Sequence, residues 1–145
     1  MSNLENVTED LLMLLGYIRD TFFRPAEQIT RTRLSHAQFH AISILALKGS
    51  LSMSELANEM KISKQQLTPL ICKLIDNQMV VRETEEMDRR IVRIEITKQG
   101  MEMAKEVKAE IKQAIKGKLS TLPDSDLKEL DHLLKRSREI LQNVK

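Results

Sequence analysis

Little in this chain breaks a helix. Its 145 residues include four glycines and three prolines, together about 5% against a usual ~12%. That scarcity excludes collagen-like chains, barrels and disordered linkers, and it points to a mainly helical protein. A single cysteine excludes an internal disulfide and a multi-cysteine metal site, and it fits a reducing cytosol. No apolar run approaches the ~20 residues that span a bilayer, since the longest is Leu11 to Leu15. The N-terminus carries Glu5, Glu9 and Asp10 without a basic stretch, so no secretory signal is expected. The net charge is only +2, which permits a polyanion partner without requiring one. Charged residues are 30% and hydrophobic residues 41%, a balance that suits a folded globular chain. The length suits one domain with a proper core.

What is present is periodic. Leu4, Val7, Leu11, Leu14, Ile18 and Phe22 recur at steps of three or four and form one face of a long first helix, broadened by Leu12 and Leu15. Pro25 is expected to bend or end it. Three capping boxes follow: Ser35-x-x-Gln38, Ser52-x-x-Glu55 and Ser63-x-x-Gln66. Apolar pairs bracket each start, Leu34 with Phe39, Leu51 with Leu56 and Ile62 with Leu67, as hydrophobic staples. Three coincidences within about thirty residues fix three helix starts. The first of these helices runs to about Lys48 and stops at Gly49. The second ends near Met60. Lys61, Ile62 and Ser63 make a tight turn into the third, Lys64 to about Asn77. Helix, short turn, helix is the arrangement that places a second helix in a major groove.

The period then changes to two. Met79 to Glu83 and Ile91 to Ile96 are β-branched runs, with Val92, Ile94 and Ile96 pointing in and Arg93 and Glu95 pointing out. The intervening Thr84 to Arg90 is too charged for a core, so the two runs form a hairpin with a protruding tip. Thr97 caps a long helix with Met101, Ala104, Val107, Ile111, Ile115 and Leu119 on one face, ending around Gly117 to Pro123. A last helix carries Leu127, Leu130, Leu134, Leu141 and Val144. There is no internal repeat.

The helix from Lys64 has two faces. Leu67, Leu70, Ile71, Leu74 and Ile75 cluster on one side. Gln65, Thr68, Pro69, Cys72, Lys73 and Asp76 lie opposite, with Lys64 and Gln66 at the flanks. Gln can read adenine bidentately, the Thr methyl can meet that of thymine, and Lys serves phosphate or guanine. Taken alone, this is also the description of an ordinary solvated face. The hairpin tip adds Asp88, Arg89 and Arg90. An Arg on such a tip can enter a narrow minor groove, and Asp88 can hold it extended.

Several short strings then carry a resemblance: Leu56-Ala57, Leu67-Thr68-Pro69-Leu70, Lys73-Leu74, Asp88-Arg89-Arg90 and Ile96-Thr97-x-x-Gly100. The stretch from about Ser35 to Gly100 resembles the winged helix-turn-helix of the MarR family of bacterial and archaeal transcription regulators, and the outer helices resemble that family's too. The resemblance implies a mainly α fold with a small β-hairpin wing. It assigns residues 1–34 to an N-terminal dimerisation helix, 35–97 to the DNA-binding lobe and 98–145 to C-terminal dimerisation helices, all in one compact domain. It implies a cytoplasmic homodimer on double-stranded DNA with a pseudo-palindromic operator. The implied contacts are Lys64, Gln65, Gln66, Thr68, Lys73, Asp88, Arg89 and Arg90. It further implies a small phenolic or anionic ligand bound between the dimer helices and the DNA-binding lobe, and a dimer covering about twenty base pairs is expected to act as a repressor by occluding a promoter. Tyr17, Arg19, Phe22 and Phe23 read equally well as lining, core or dimer interface. Where the family has a Gly after the recognition helix, this chain has Gln78, so either Gln78 or Asn77 takes the left-handed conformation or the helix ends differently. Pro69 is expected to bend that helix slightly. The Leu67-Thr68-Pro69-Leu70 string is similar to the peroxide-sensing branch, but the first helix has no Cys to carry that chemistry.

Three alternatives stand beside this reading. Oxidation or alkylation of Cys72 would release DNA by steric clash. His36 and His40 have the i, i+4 spacing of metal ligands, set against packing or polar roles; no metal and no cofactor is expected. A helical module that binds protein is the third. An enzyme is not expected, because there is no Gly-rich phosphate loop, Ser-His-Asp constellation or Cys-His site.

Overall fold

A computed structural model describes residues 2–145. Helix α1 (Asn3–Ile18) continues through one π turn at Arg19–Phe23 into α2 (Arg24–Thr30). Of the two outcomes expected at Pro25, a bend or an end, the helix does not end there. A proline cannot donate to the carbonyl four residues back, and its ring crowds that carbonyl. Here the turn before it is loosened instead, with Arg24 N–H donating to the Arg19 carbonyl.

Next come α3 (His36–Lys48), the short strand β1 (Leu51–Ser52), α4 (Met53–Met60) and α5 (Lys64–Asp76). All three capping boxes form. Gln38, Glu55 and Gln66 each receive the N–H of the capping Ser (2.8, 3.1 and 3.0 Å), and Ser35, Ser52 and Ser63 each accept the N–H three residues on, all at 3.1 Å. Helix α3 closes at Gly49 with φ +80°. Helix α4 closes on Lys61 at φ +56°, with Ile62 N–H donating to the Ala57 carbonyl at 3.1 Å. Helix α5 closes on Gln78 at φ +61°, while Asn77 stays at φ −88°. Met79 N–H then reaches the Leu74 carbonyl at 2.9 Å and Gln78 N–H reaches that of Ile75 at 2.9 Å, a Schellman closure without glycine.

The hairpin is β2 (Val80–Thr84) and β3 (Val92–Ile96), with Val80 opposite Ile96 and Thr84 opposite Val92. Strand β1 lies on the other side of β3, pairing Leu51 with Ile94 and Ser52 with Arg93, to give the order β1-β3-β2. The sequence did not announce β1: it is two residues long, and Ser52 is also the cap of α4. Helices α6 (Lys98–Leu119) and α7 (Asp124–Leu141) complete the chain, leaving Val144 beyond the last helix.

The core is continuous across the lobe. Ile42, Leu45, Leu56, Leu67, Ile71, Leu74, Val80, Ile94 and Val107 are fully buried. They join α3, α4, α5, the sheet and α6, so the inner face of α5 is locked while its outer face stays free. Arg33, in the connector after α2, pairs with Glu110 and lies 3.7 Å from Glu106, pinning that connector to α6. Helices α1 and α7 bury no residue. Their apolar stripes face solvent in the single chain.

Gly100 shows how tightly α6 leaves the sheet. A Cβ there would sit 2.2 Å from the Met79 carbonyl oxygen and 2.7 Å from Ile96 Cγ1. Gly100→Ala is expected to destabilise the fold by about 1–3 kcal/mol, read as a lower midpoint in urea denaturation. An unchanged midpoint would show that the exit from the sheet can move.

Candidate nucleic-acid interface

Helix α5 presents Lys64, Gln65, Gln66, Thr68, Pro69, Cys72, Lys73 and Asp76 to solvent, and its buried side is Leu67, Ile71 and Leu74. The helix runs through Pro69 without interruption. Two of the expected readers are partly engaged within their own helix. Gln66 gives its carbonyl oxygen to the Ser63 N–H, which leaves its NH2 group. Thr68 donates its hydroxyl to the Lys64 carbonyl at 2.8 Å, so its hydrogen-bonding donor is turned back to the helix and its methyl group is what remains to offer. Gln65, Lys64 and Lys73 make no side-chain hydrogen bond or ion pair among the described residues. From Ser63 to Ile75 this helix carries two lysines and no acid.

The tip of the hairpin holds the second cluster. Asp88 accepts three hydrogen bonds from Arg90: the backbone N–H at 3.0 Å, Nε at 3.1 Å and Nη2 at 3.1 Å. The guanidinium is thereby held by a fork while its side chain stays 91% exposed. Asp88 also closes the turn, with Ile91 N–H donating to its carbonyl at 3.0 Å. Arg89 is exposed beside them. The side-chain and backbone hydrogen bonds from Arg90 hold the Asp88 carboxyl below the ordinary aspartate range. A carboxylate so depressed keeps the fork complete at neutral pH and gives it up as pH falls through the folded-state pKa. Following the Asp88 carboxyl carbon by NMR against pH is expected to show a midpoint below that of a free aspartate. An ordinary midpoint would mean the fork is open in solution.

Arg93 does not simply face outward. Its Nε donates to Ser50 Oγ at 2.9 Å, its Nη2 to the Ser50 carbonyl at 2.7 Å and its Nη1 to Glu85 Oε1 at 3.1 Å. Nη1 also lies 3.7 Å from Glu55, whose carboxyl is held low by the Ser52 backbone N–H and hydroxyl first and by the Arg93 charge last. Alternation along β3 placed Arg93 on the right face. It could not say that Ser50, 43 residues earlier, covers that face.

A basic, polar helix face and an Arg-bearing hairpin thus project from one core. The MarR family model matches residues 34–92, the span that contains both. Residues 34–92 are thus a MarR family domain. Among sequence relatives, the transcriptional regulator FarR of Neisseria gonorrhoeae is 30% identical over 91 residues, 63% of this chain and 61% of that protein. The match therefore spans less than two thirds of FarR. The transcriptional repressor MdtR of Bacillus subtilis is 25% identical over 107 residues, 74% of this chain and 69% of that one. Among solved structures, a MarR family protein from Bacillus stearothermophilus superposes with a TM-score of 0.81 at 24% identity, covering 99% of this chain and 100% of that one. The MarR fold accordingly extends over both outer helices as well as the matched lobe.

Two further features were singled out in the sequence. Cys72 is exposed in helical register with Thr68 and Asp76 on the outer face of α5. His36 and His40 are exposed with rings stacked 6.3 Å apart. No group of three or more His, Cys, Asp or Glu side chains suited to a metal comes together among the described residues. No helix among them is long and apolar enough to cross a membrane.

Proposed function

We propose that this chain is a homodimeric, sequence-specific DNA-binding regulator that represses by covering a promoter and is released by a small ligand. The observation that carries the reading is Arg90, almost fully exposed at the wing tip and held extended by Asp88. An Arg in that posture suits a narrow minor groove, where the potential is most negative. Helix α5 enters the adjacent major groove. Gln65 and the free amide NH2 of Gln66 address base edges, the Thr68 methyl meets thymine, and Lys64, Lys73 and Arg89 meet phosphates. The unburied stripes of α1 and α7 supply the dimer contact. Repression fits the name of the Bacillus relative and the geometry of a dimer lying across two half-sites. Such a protein works where the chromosome is, in the cytoplasm.

Binding to duplex DNA at a series of salt concentrations tests this against a protein-binding module. Six phosphate contacts give a log–log slope of roughly −5, at ~0.9 per contact. A slope near zero contradicts the reading.

The ligand site we infer is a cavity of about 520 Å³ between the Arg19–Thr30 stretch, the start of α3 and Ile111 of α6. Phe23, Phe39, Ala26 and Ile111 make its apolar wall, and Arg19, His36 and Glu27 stand on its lining, with Arg19 Nε on Asp20 at 3.3 Å and its terminal nitrogens left for a ligand. An aromatic acid fits that chemistry: rings against the apolar wall, a carboxylate toward Arg19. Calorimetry with 4-hydroxybenzoate is expected to show binding that Arg19→Ala weakens about tenfold, the worth of one charge-assisted hydrogen bond. Equal affinity for both proteins would place the ligand elsewhere.

A further inference from the structure

We propose that Arg93 is a positioning residue of the wing: its guanidinium ties the tip loop to the helix-turn-helix and so fixes how Arg90 is presented. The proposal rests on the DNA-binding reading above. The hairpin has little support of its own. A two-stranded ribbon on its own is marginally stable in water. Strand β1 supports β3 only opposite Ile94 and Arg93. Farther out there is one more ladder step beyond Arg93, Thr84 opposite Val92, and then the loop 85–91. That loop is joined at its neck, with Glu85 N–H donating to the Ile91 carbonyl at 3.0 Å, and it has no third strand beside it. The support therefore ends at Arg93, and the group that carries Arg90 lies beyond.

Arg93 spans that boundary. One edge of its guanidinium holds Ser50, through Oγ and the backbone carbonyl, at the base of β1. The remaining arm holds Glu85, the first residue of the tip loop, and lies near Glu55 at the cap of α4. A single planar group thus connects the scaffold of the recognition unit to the loop. Lysine, with one ammonium on a flexible stem, cannot serve Ser50 and Glu85 in that fixed geometry. The Arg93 side chain is 35% exposed, and solvent-screened pairs of this kind add little to global stability. The contribution we assign to it is therefore local order and not stability. Charge supports the same view. Between Arg82 and Arg93 there are four Arg and four Asp or Glu residues, so the wing has no net attraction for DNA. Its contribution depends on where one Arg is aimed.

The test combines a DNA-free readout with a double-mutant cycle. In the free protein, Arg93→Lys is expected to lower backbone order parameters in residues 85–91 from ~0.85 to below ~0.6, with the thermal midpoint unchanged. On duplex DNA, Arg93→Lys is expected to weaken binding about 5- to 10-fold. Arg90→Ala, which costs tenfold or more in the parent, should then cost less than threefold in the Arg93→Lys background. Glu85→Gln, which releases only the loop arm, should move both readouts in the same direction by less. Unchanged order parameters, or additive losses from Arg93→Lys and Arg90→Ala, would overturn the proposal. Parent protein that binds no duplex DNA would overturn the DNA-binding reading and, with it, the proposed purpose of the clamp; the order parameters would still report whether the clamp exists.

Discussion

Arg90→Ala is expected to weaken duplex binding about 10- to 100-fold per wing at ~0.15 M salt and to make the salt slope shallower by about one per wing. The Arg90 side chain is 91% exposed and among the described residues hydrogen-bonds to Asp88 alone, so its removal should leave folding intact and act on binding alone. The change also separates two ways in which an Arg can help. A residue that only adds positive charge would be replaced adequately by Lys. A residue that enters a narrow groove with a planar head held by a fork would not. Arg90→Lys is therefore expected to recover the salt slope but little of the affinity, and fluorescence anisotropy on a labelled duplex reads both. Full affinity in Arg90→Lys would reduce the wing to a source of charge.

Leu14→Glu is expected to raise the dimer dissociation constant about a thousandfold or more. Leu14 is 52% exposed in the single chain and belongs to a stripe whose Leu4 and Val7 are 77% and 61% exposed. A contiguous apolar surface of that extent marks an interface, and α7 adds Leu133, Leu134 and Leu141. Burying one leucine side chain is worth roughly 1.5–3 kcal/mol, and a two-fold interface counts each residue twice. Placing a carboxylate there adds its desolvation. The sum exceeds about 4 kcal/mol, which is a factor of a thousand. Helix α1 buries nothing within its own chain, so the variant should keep its helical circular dichroism while sedimenting as a monomer at ~1 μM. Operator affinity should fall with it, because a monomer covers one half-site. A dimer of undiminished stability would place the interface on other surfaces.

The lobe was legible because its starting signals are local. A Ser and a Gln or Glu three residues apart specify a cap without any tertiary information, and Ser35, Ser52 and Ser63 all behave so. The left-handed residue after α5 was narrowed to Asn77 or Gln78 by the resemblance, which has a Gly at that point, and Gln78 takes it. What escaped the sequence depends on partners far along the chain. Strand β1 exists because β3 lies beside it, and two residues cannot show a period. Arg93 was assigned to an outward face correctly, but the groups covering that face come from Ser50 and Glu85. Pro25 was expected to bend or end the first helix; a π turn just before it lets the helix continue, a local adjustment that apolar spacing does not reveal. For the site, residue type suggested that Thr68 meets a thymine methyl. Its hydroxyl is satisfied by its own helix, which leaves a methyl contact. Such back-bonding is a side-chain torsion that sequence does not encode.

The claim at the centre of this account is that α5 and the Arg90 wing read DNA as a two-fold pair. Selection of binding sites from a random duplex pool at ~0.15 M salt, with the parent and Arg90→Ala in parallel, tests it most directly. The account predicts an enriched palindrome with half-site centres about one helical turn apart, and weaker enrichment with Arg90→Ala, most of all at the flanking positions. No enriched sequence, or the same enrichment from both proteins, would contradict it.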